Sequence, residues 1–259
     1  MLADLGRTLA SGGLVGFSLG LVGGGGSILA TPLLLYVVGV TQPHIAIGTS
    51  ALAVSVNAFA NLIGHARSGN VRWRCAILFA VVGTLGAIAG STIGKLVDGQ
   101  RLLFLFGLLM VLVGIMMLRP RGASASAERK ADAKTSLITA TVAFAVGCAS
   151  GFFGIGGGFL IVPGLIFATG MPMINAIGSS LLAVGSFGLA TALNYAASGL
   201  VDWPVALEFI TGGIIGGIAG MMLANRLSAG KNTLNRIFAA LIFMVAAYVL
   251  YRSGGALFT

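Results

Sequence analysis

Five long apolar stretches without a single charged residue constrain this chain more than any other feature. They cover residues 76–94, 102–118, 137–153, 173–197 and 237–251. A helix needs about 18 to 20 mostly apolar residues to cross the roughly 30 Å hydrocarbon core of a bilayer. Only 8% of the residues are charged, whereas soluble globular domains carry about 25%. We therefore predict an all-α, polytopic integral membrane protein of the cell inner (plasma) membrane.

Composition also excludes several classes of function. The net charge of +9 comes largely from cations in short loops between apolar segments, which report membrane orientation and not a nucleic-acid partner. Cys75 and Cys148 lie in apolar surroundings without C-x-x-C or histidine-rich spacing, so neither a disulfide nor a metal site is expected. No paired carboxylates, metal-spaced histidines or Ser-His arrangement indicates an enzyme, and no cofactor is expected.

The sequence repeats itself after about 130 residues. The matching strings, in chain order, are GLVGGGGSILATP at 20–32 with GFFGIGGGFLIVP at 151–163, AIGTSALAV at 46–54 with AIGSSLLAV at 176–184, ARSGNVRW at 66–73 with AASGLVDW at 196–203, and GTLGAIAG at 83–90 with GIIGGIAG at 213–220. Four matches in the same order predict two transmembrane repeats, residues 1–118 and 137–259, joined by a cytoplasmic linker at 119–136.

Each repeat contains five apolar segments. Their approximate bounds are 5–22, 28–40, 44–66, 73–97 and 100–118, then 137–153, 159–170, 173–197, 203–227 and 232–252. An odd number of crossings inverts the second copy relative to the first. In the second repeat the loop at 198–204 carries no cation and the loop at 226–236 carries three, which favours inversion under the positive-inside rule. The second segment of each repeat is short, so the glycine runs before it are expected to mark a bend.

The two glycine runs indicate a binding site for an anion. Backbone at membrane depth must be paired unless it lines a cavity, and a helix beginning at Ser27 or Phe159 would aim free N–H groups and the positive end of its dipole into the bend. Hydroxyl and amide side chains on the following helices add donors. The predicted substrate-binding residues are Gly23, Gly24, Gly25, Gly26, Ser27, Ser50, Asn57, Asn61, Gly154, Gly156, Gly157, Gly158, Ser180, Thr191 and Asn194.

The same residue types also have structural uses. Glycines spaced three and four apart let membrane helices pack closely, and we prefer this interpretation for Gly83, Gly86, Gly90 and their copies at 213, 216 and 220. Buried hydroxyls and amides bond across helices as well. His44 and His65 are each expected at the membrane interface, since neither has a carboxylate or a second histidine at helical spacing.

No aspartate or glutamate occurs between Asp4 and Asp98, nor between Asp132 and Asp202. Neither repeat therefore has an evident coupling carboxylate, and Glu208 is the one candidate left. An anion can still leave the cell downhill, because an inside-negative potential is worth about 2.3 kcal/mol per charge per 100 mV. Export therefore fits the residues more simply than accumulation.

Several motifs recur along residues 10 to 250: the glycine-rich bend followed by a proline, the AIGTS and AIGSS strings, and the SGNVRW and SGLVDW loops. Together they resemble the TauE/SafE sulfite exporter family. The resemblance implies transport of small sulfur-containing or carboxylate anions such as sulfite, sulfoacetate or other organosulfonates. The expected partners are this substrate and the lipid bilayer, with a homodimer as one form of assembly. Two alternatives stay open: a passive anion channel, and a proton-coupled importer in which Glu208 or His65 reaches the pathway.

Overall fold

A computed structural model describes residues 2–118, 133–153, 158–227 and 233–257, and their regular structure is helical throughout. The helices are α1 (Leu2–Val22), α2 (Ala30–Leu33), α3 (Pro43–Arg67), α4 (Trp73–Gly94), α5 (Gly99–Leu118), α6 (Ala133–Phe153), α7 (Gly158–Thr169), α8 (Met173–Ala196), α9 (Trp203–Leu227) and α10 (Thr233–Leu257). A 3₁₀ helix (Gly23–Leu29) precedes α2, and a π-helical turn (Leu34–Val38) follows it. The prediction of an all-α polytopic membrane protein is confirmed.

Among the described residues, six helical stretches are long and apolar enough to cross a membrane. They are Leu5–Val38, Pro43–Arg67, Trp73–Gly94, Thr135–Phe153, Met173–Ala196 and Trp203–Leu227. Many of their large apolar side chains point outward, such as Val81 (61% exposed) and Leu85 (62%) on α4. Such an apolar exterior suits contact with lipid, because lipid tails solvate it as well as a protein core would.

The helix ends recur at equivalent positions of the two halves. After α3 the chain turns at Gly69 with φ of 72°, and after α8 it turns at Gly199 with φ of 70°. This left-handed conformation is strained for other residues. The two turns lead into Trp73 and Trp203, which are 50% and 58% exposed at the starts of α4 and α9.

The first glycine run differs from the open bend that the sequence predicts. Gly23 turns the chain with φ of 66°, and residues 23–29 then form the 3₁₀ helix, so no helix begins at Ser27. A Cβ on Gly26 would overlap the backbone of Ser18 and Leu19, which shows that the chain folds back onto α1. The 3₁₀ helix pairs backbone groups that would otherwise stay unsatisfied at membrane depth.

The second glycine run lies largely outside the described residues. Gly154, Gly156 and Gly157 are among the residues for which no structure is described. Helix α7 begins at Gly158, one residue before the predicted start at Phe159. The predicted linker at 119–136 is also outside this part of the chain, apart from residues 133–136 in the first turn of α6.

The first helix of each half packs on the fourth helix of the other half. Glycines on α1 contact α9, where a Cβ on Gly16 would overlap the backbone of Gly213. The equivalent pair joins α6 and α4, where a Cβ on Gly147 would overlap the backbone of Gly83. The packing role predicted for the glycine stripes of α4 and α9 is confirmed by Gly86, Gly90, Gly216 and Gly220, each of which lies against backbone of the partner helix.

Equivalent helices of the two halves also contact each other, with opposite chain directions. Gly48, near the start of α3, lies against Leu200 and Tyr195 at the end of α8. Farther along α3, Ser55 donates from Oγ to the carbonyl oxygen of Gly185 at 2.7 Å, deeper in α8. Helices α5 and α10 follow the same rule, since Gly107 contacts Leu250 and Gly114 contacts Phe243.

Candidate functional site

The first glycine run is bound to α8 by a serine of the other half. The backbone N–H of Gly24 donates to Oγ of Ser180 at 3.1 Å, and Ser180 Oγ donates to the carbonyl oxygen of Ile177 at 2.8 Å. A Cβ on Gly23 would lie 2.7 Å from Ser180 Oγ. Glycine is therefore required at 23 both by its φ and by this contact. Ser27 Oγ donates within the run, to the carbonyl oxygen of Gly24 at 2.8 Å.

The two glycine runs meet at Gly24 and Gly158. A Cβ on either residue would overlap the backbone of the other, so the first turn of α7 lies directly against the 3₁₀ helix. Both residues are fully buried. The structure therefore brings one member of the predicted second glycine set into contact with the first set, as a site between two repeats requires.

Two amide side chains of α3 lie against α9, and one of them, Asn61, also lies against Gly20, three residues before the first glycine run. Asn61 Oδ1 is 3.0 Å from the position of a Cβ on Gly20, and its Nδ2 donates to the carbonyl oxygen of Asn57 at 2.9 Å. A Cβ on Gly213 would overlap the amide of Asn57, and one on Gly217 would lie 2.5 Å from Asn61 Nδ2. Glycine at position 20 of α1 and at positions 213 and 217 of α9 thus leaves room for the two amides.

Asn57 has unused hydrogen-bonding capacity. Its side chain is 0% exposed, and neither Nδ2 nor Oδ1 has a hydrogen-bond partner within the described part of the chain. An unpaired buried amide costs roughly 1–3 kcal/mol, so a protein retains one only where something else compensates. We refer to Gly23, Gly24, Ser180, Asn57 and Asn61 as the Asn57 cluster.

The equivalent region of the second half has a different character. Phe187 stands at the position of Asn57, stacks on Phe79 with ring centroids 6.3 Å apart, and lies where a Cβ on Gly83 would be. Thr191 stands at the position of Asn61 and has a buried hydroxyl without a partner. The two halves therefore share a backbone plan, but the amide pair occurs in the first half.

Two of the predicted residues have other partners. Ser50, the counterpart of Ser180, donates from Oγ to the carbonyl oxygen of Ile47 at 2.9 Å and so accepts from the hydroxyl of Thr31, 2.8 Å away. Asn194 lies near the end of α8, where its Oδ1 accepts from Lys95 Nζ at 2.8 Å and its Nδ2 donates to Ser91 Oγ at 2.7 Å. Asn194 is therefore not brought together with the Asn57 cluster.

One neighbour of the cluster was not among the predicted site residues. His65 is fully buried, and its Nε2 is 2.9 Å from the carbonyl oxygen of Gly20. The view of His65 as an interfacial residue therefore missed its contacts. Its spacing held the signal, since residues 57, 61 and 65 are four apart and share one face of a helix.

The electrostatics of the region rest on neutral groups. In the part of the chain that the structure describes, the buried polar side chains are serines, threonines, Asn57, Asn61 and His65. Within those same residues, no three side chains of histidine, cysteine, aspartate or glutamate lie together as a metal site would need. The arrangement offers amide and hydroxyl donors with no fixed charge.

Comparison with known proteins gives consistent results. The family model for the sulfite exporter TauE/SafE matches residues 8–249. A probable membrane transporter protein of Xylella fastidiosa (strain Temecula1) is 66% identical over 251 residues, which cover 96% of each chain. The probable membrane transporter protein YunE of Bacillus subtilis is 24% identical, over 92% of this chain and 95% of its own.

A probable membrane transporter protein of Haemophilus influenzae is 28% identical, again over 92% of this chain and 95% of its own. No solved structure matches the chain. The family match spans nearly the whole sequence, and the helices that it covers are long and apolar enough to cross a bilayer. The chain belongs to the TauE/SafE sulfite exporter family of membrane transporters.

Proposed function

We propose that this membrane transporter carries small sulfur-containing anions, such as sulfite, sulfoacetate or other organosulfonates, out of the cell by alternating access. The substrate binds at the Asn57 cluster. The observation that carries this proposal is the fully buried amide of Asn57, whose donor and acceptor atoms have no partner among the residues that the structure describes.

The chemistry of the cluster suits an anion. The Asn57 amide has two N–H donors, and Asn61 Nδ2 has a second hydrogen besides the one that it donates to the carbonyl oxygen of Asn57. Neutral donors can satisfy the oxygen atoms of a sulfonate or sulfite without a bound cation. A site without a fixed positive charge also avoids the cost of burying that charge in the empty state of the transporter.

The surroundings of the cluster allow motion between the two halves. The Gly24–Ser180 bond and the Gly24–Gly158 contact both join one half to the other. The Gly24–Gly158 contact is between two glycine backbones, so no side chains of these two residues interlock. A rocking movement of one repeat against the other would open this contact from alternate sides, as alternating access requires.

We infer further that residues 1–118 and 137–259 are inverted repeats. Asn225 at the end of α9 donates from Nδ2 to Ser68 Oγ at 3.2 Å, so α9 ends on the same side as α3. Because a short turn links α3 to α4, α4 begins on that side and ends on the other. The equivalent helices α4 and α9 thus run in opposite directions, which supports inversion in the membrane.

A counterflow experiment tests the proposed function. Purified protein in proteoliposomes is loaded with unlabelled sulfoacetate, and entry of labelled sulfoacetate is followed. A carrier is expected to accelerate labelled entry several-fold over unloaded vesicles, since the return step with bound substrate exchanges label. Equal rates with and without internal substrate would instead support the passive channel. No saturable flux of sulfoacetate, sulfite or a related sulfonate would reject the proposed substrate class.

A further inference from the structure

His65 has two different hydrogen-bonding partners, which determine the ring nitrogen that carries the hydrogen in the neutral imidazole. The carbonyl oxygen of Gly20 can only accept, so Nε2 at 2.9 Å carries a hydrogen. Asn70 Nδ2 lies 3.3 Å from Nδ1, and an amide nitrogen can only donate. Nδ1 is therefore an acceptor and the place where an additional proton would bind.

A short series of hydrogen-bonded side chains connects Nδ1 of His65 to the protein surface. Asn70 Nδ2 also donates to Asn225 Oδ1 at 2.9 Å, and Asn225 Nδ2 donates to Ser68 Oγ at 3.2 Å. Asn225 and Ser68 are exposed, and Asn70 is partly buried. Rotation of the Asn70 amide would expose Nδ1 and offer Oδ1 to a newly bound proton. Water thus needs to pass one amide to reach the imidazole.

The charged residues near His65 in the sequence, and beside Asn225 on α9, are arginines. Arg67 follows it on α3, Arg72 lies in the loop before α4, and Arg74 is in the first turn of α4. Arg226 is next to Asn225 on α9. Carboxylates are absent from α3, α4 and α8, and from α1 after Asp4. Helix α9 has one carboxylate, Glu208, which lies more than four helical turns from Asn225.

Backbone dipoles favour a positive charge at this position. His65 lies in the last turn of α3, and its Nε2 contacts Gly20 in the last turn of α1. The carboxyl ends of helices carry partial negative charge and attract a protonated histidine. Burial of the imidazole and the nearby arginines oppose this charge, so an additional negative charge can decide whether the imidazole is protonated.

We propose that His65 is the proton-binding residue of the anion site, so that an anion binds more tightly when the imidazole is protonated. This inference rests on the proposed function, because the anion is the one expected at the Asn57 cluster. Linkage makes the effect reciprocal: a bound anion raises the proton affinity of His65 by the same factor. Protonation of His65 thereby adds a positive charge near the neutral Asn57 cluster when substrate is present.

The expected size of the effect follows from the helix geometry. Asn57 and His65 are eight residues apart on α3, which is about 12 Å along its axis. Two opposite unit charges at about 12 Å and an effective dielectric constant of about 20 attract each other enough to change an equilibrium constant about tenfold. The affinity for a monovalent charge at the cluster should therefore differ about tenfold between the two protonation states.

The second half has no equivalent proton acceptor. Tyr195 stands at the position of His65, and its buried hydroxyl has no partner. The other histidine of the chain, His44, lies at the opposite end of α3, with its ring centroid 6.3 Å from that of Tyr195. His44 therefore provides a matched control, since it is 13 residues from Asn57, which is about 20 Å along the axis of α3.

Binding of sulfoacetate to purified protein at about pH 5.5 and about pH 8.5 tests this inference. The sulfonate and carboxylate of sulfoacetate stay ionised over this range, so the ligand itself does not titrate. We expect Kd to rise at least tenfold at the higher pH for the wild type and for His44→Gln, because sulfoacetate carries two negative charges. His65→Gln keeps a side-chain donor for Gly20 and should bind at both pH values with the weaker affinity of the wild type at high pH.

A second measurement uses the wild type alone. Near neutral pH, anion binding should take up protons from a weakly buffered solution, and this uptake is measured directly. Three results would each overturn the role of His65 while leaving the anion site intact. They are a wild-type Kd that does not change with pH, a pH-dependent Kd in His65→Gln, and anion binding without proton uptake. No binding of sulfoacetate, sulfite or methanesulfonate at either pH would overturn the proposed function, and this inference with it.

Discussion

The backbone N–H of Gly24 donates to Oγ of Ser180 at 3.1 Å, across a sequence separation of 156 residues. One group belongs to the glycine run of the first half, and the other belongs to the AIGSS string of the second half. Two motifs that are repeated in the sequence thus contact each other in space. The bond lies at the Asn57 cluster, where we propose that the transported anion binds.

Replacement of Ser180 by alanine should leave the Gly24 amide without a partner. We expect a loss of about 1–3 kcal/mol of stability, because an unsatisfied buried donor keeps its full desolvation cost. Ser186→Ala is the matched control, since Ser186 Oγ donates only to the carbonyl oxygen of Leu182 on its own helix. Thermal unfolding in detergent compares the two variants. Equal midpoints for both would contradict a structural role for the Gly24–Ser180 bond.

Asn57→Leu should separate stability from transport. Leucine is similar in size to asparagine and removes an amide whose polar atoms have no protein partner, so unfolding should become harder by about 1–3 kcal/mol. Transport of sulfoacetate should fall at least tenfold in proteoliposomes. Ser150→Ala, which also removes a fully buried and unpartnered hydroxyl, should leave transport unchanged. A destabilised Asn57→Leu protein would show that the amide has partners inside the protein.

Gly213→Ala perturbs the same amide from the opposite helix. The three atoms nearest to its Cβ would all belong to the side chain of Asn57 and none to backbone, so we expect transport to fall while the protein still folds. Gly212→Ala would instead overlap the carbonyl oxygen of Leu9 and should cost about 1–3 kcal/mol or more of stability. Size-exclusion chromatography and transport assays compare the pair. Full transport activity in Gly213→Ala would contradict a role for the position of Asn57.

Ser68 and Ser198 provide a test of the inverted topology. They are equivalent residues in the two ARSGNVRW-type strings, and both are exposed. With Cys75 and Cys148 replaced by alanine, a single cysteine at 68 should react with a membrane-impermeant maleimide only from the cytoplasmic side. A cysteine at 198 should react only from the outside. Labelling of both from the same side would show parallel repeats.

The helices of this protein could be predicted closely because their signals are local. Apolar stretches without charge, bounded by Pro43 or by Gly69 and Gly199, place most helix ends within a few residues. The glycine run at 23–26 was harder, because glycine weakens an α-helix but does not decide between an open bend and a 3₁₀ helix. Packing of Gly26 on Leu19 and of Gly24 on Gly158 decides that point, and the second contact joins residues that are far apart in the sequence.

The site could be predicted in part for the same reason. The repeat identifies Ser180 and the glycine run, but their pairing depends on how α8 crosses α3. Sequence spacing places Asn57, Asn61 and His65 on one face of α3. It does not show that Gly213 and Gly217 of α9 lie opposite the two amides. Ser50 and Asn194 have donors and acceptors like those of Asn57, and only the structure shows that their partners are Thr31 and Lys95.

Equilibrium binding of labelled sulfoacetate or sulfite to purified protein tests the central claim most directly. The account predicts saturable binding to the wild type and to Ser150→Ala, and a Kd at least tenfold higher for Asn57→Leu, although this variant folds at least as stably. Unchanged affinity in Asn57→Leu would contradict the claim that the unpartnered amide of Asn57 binds the transported anion.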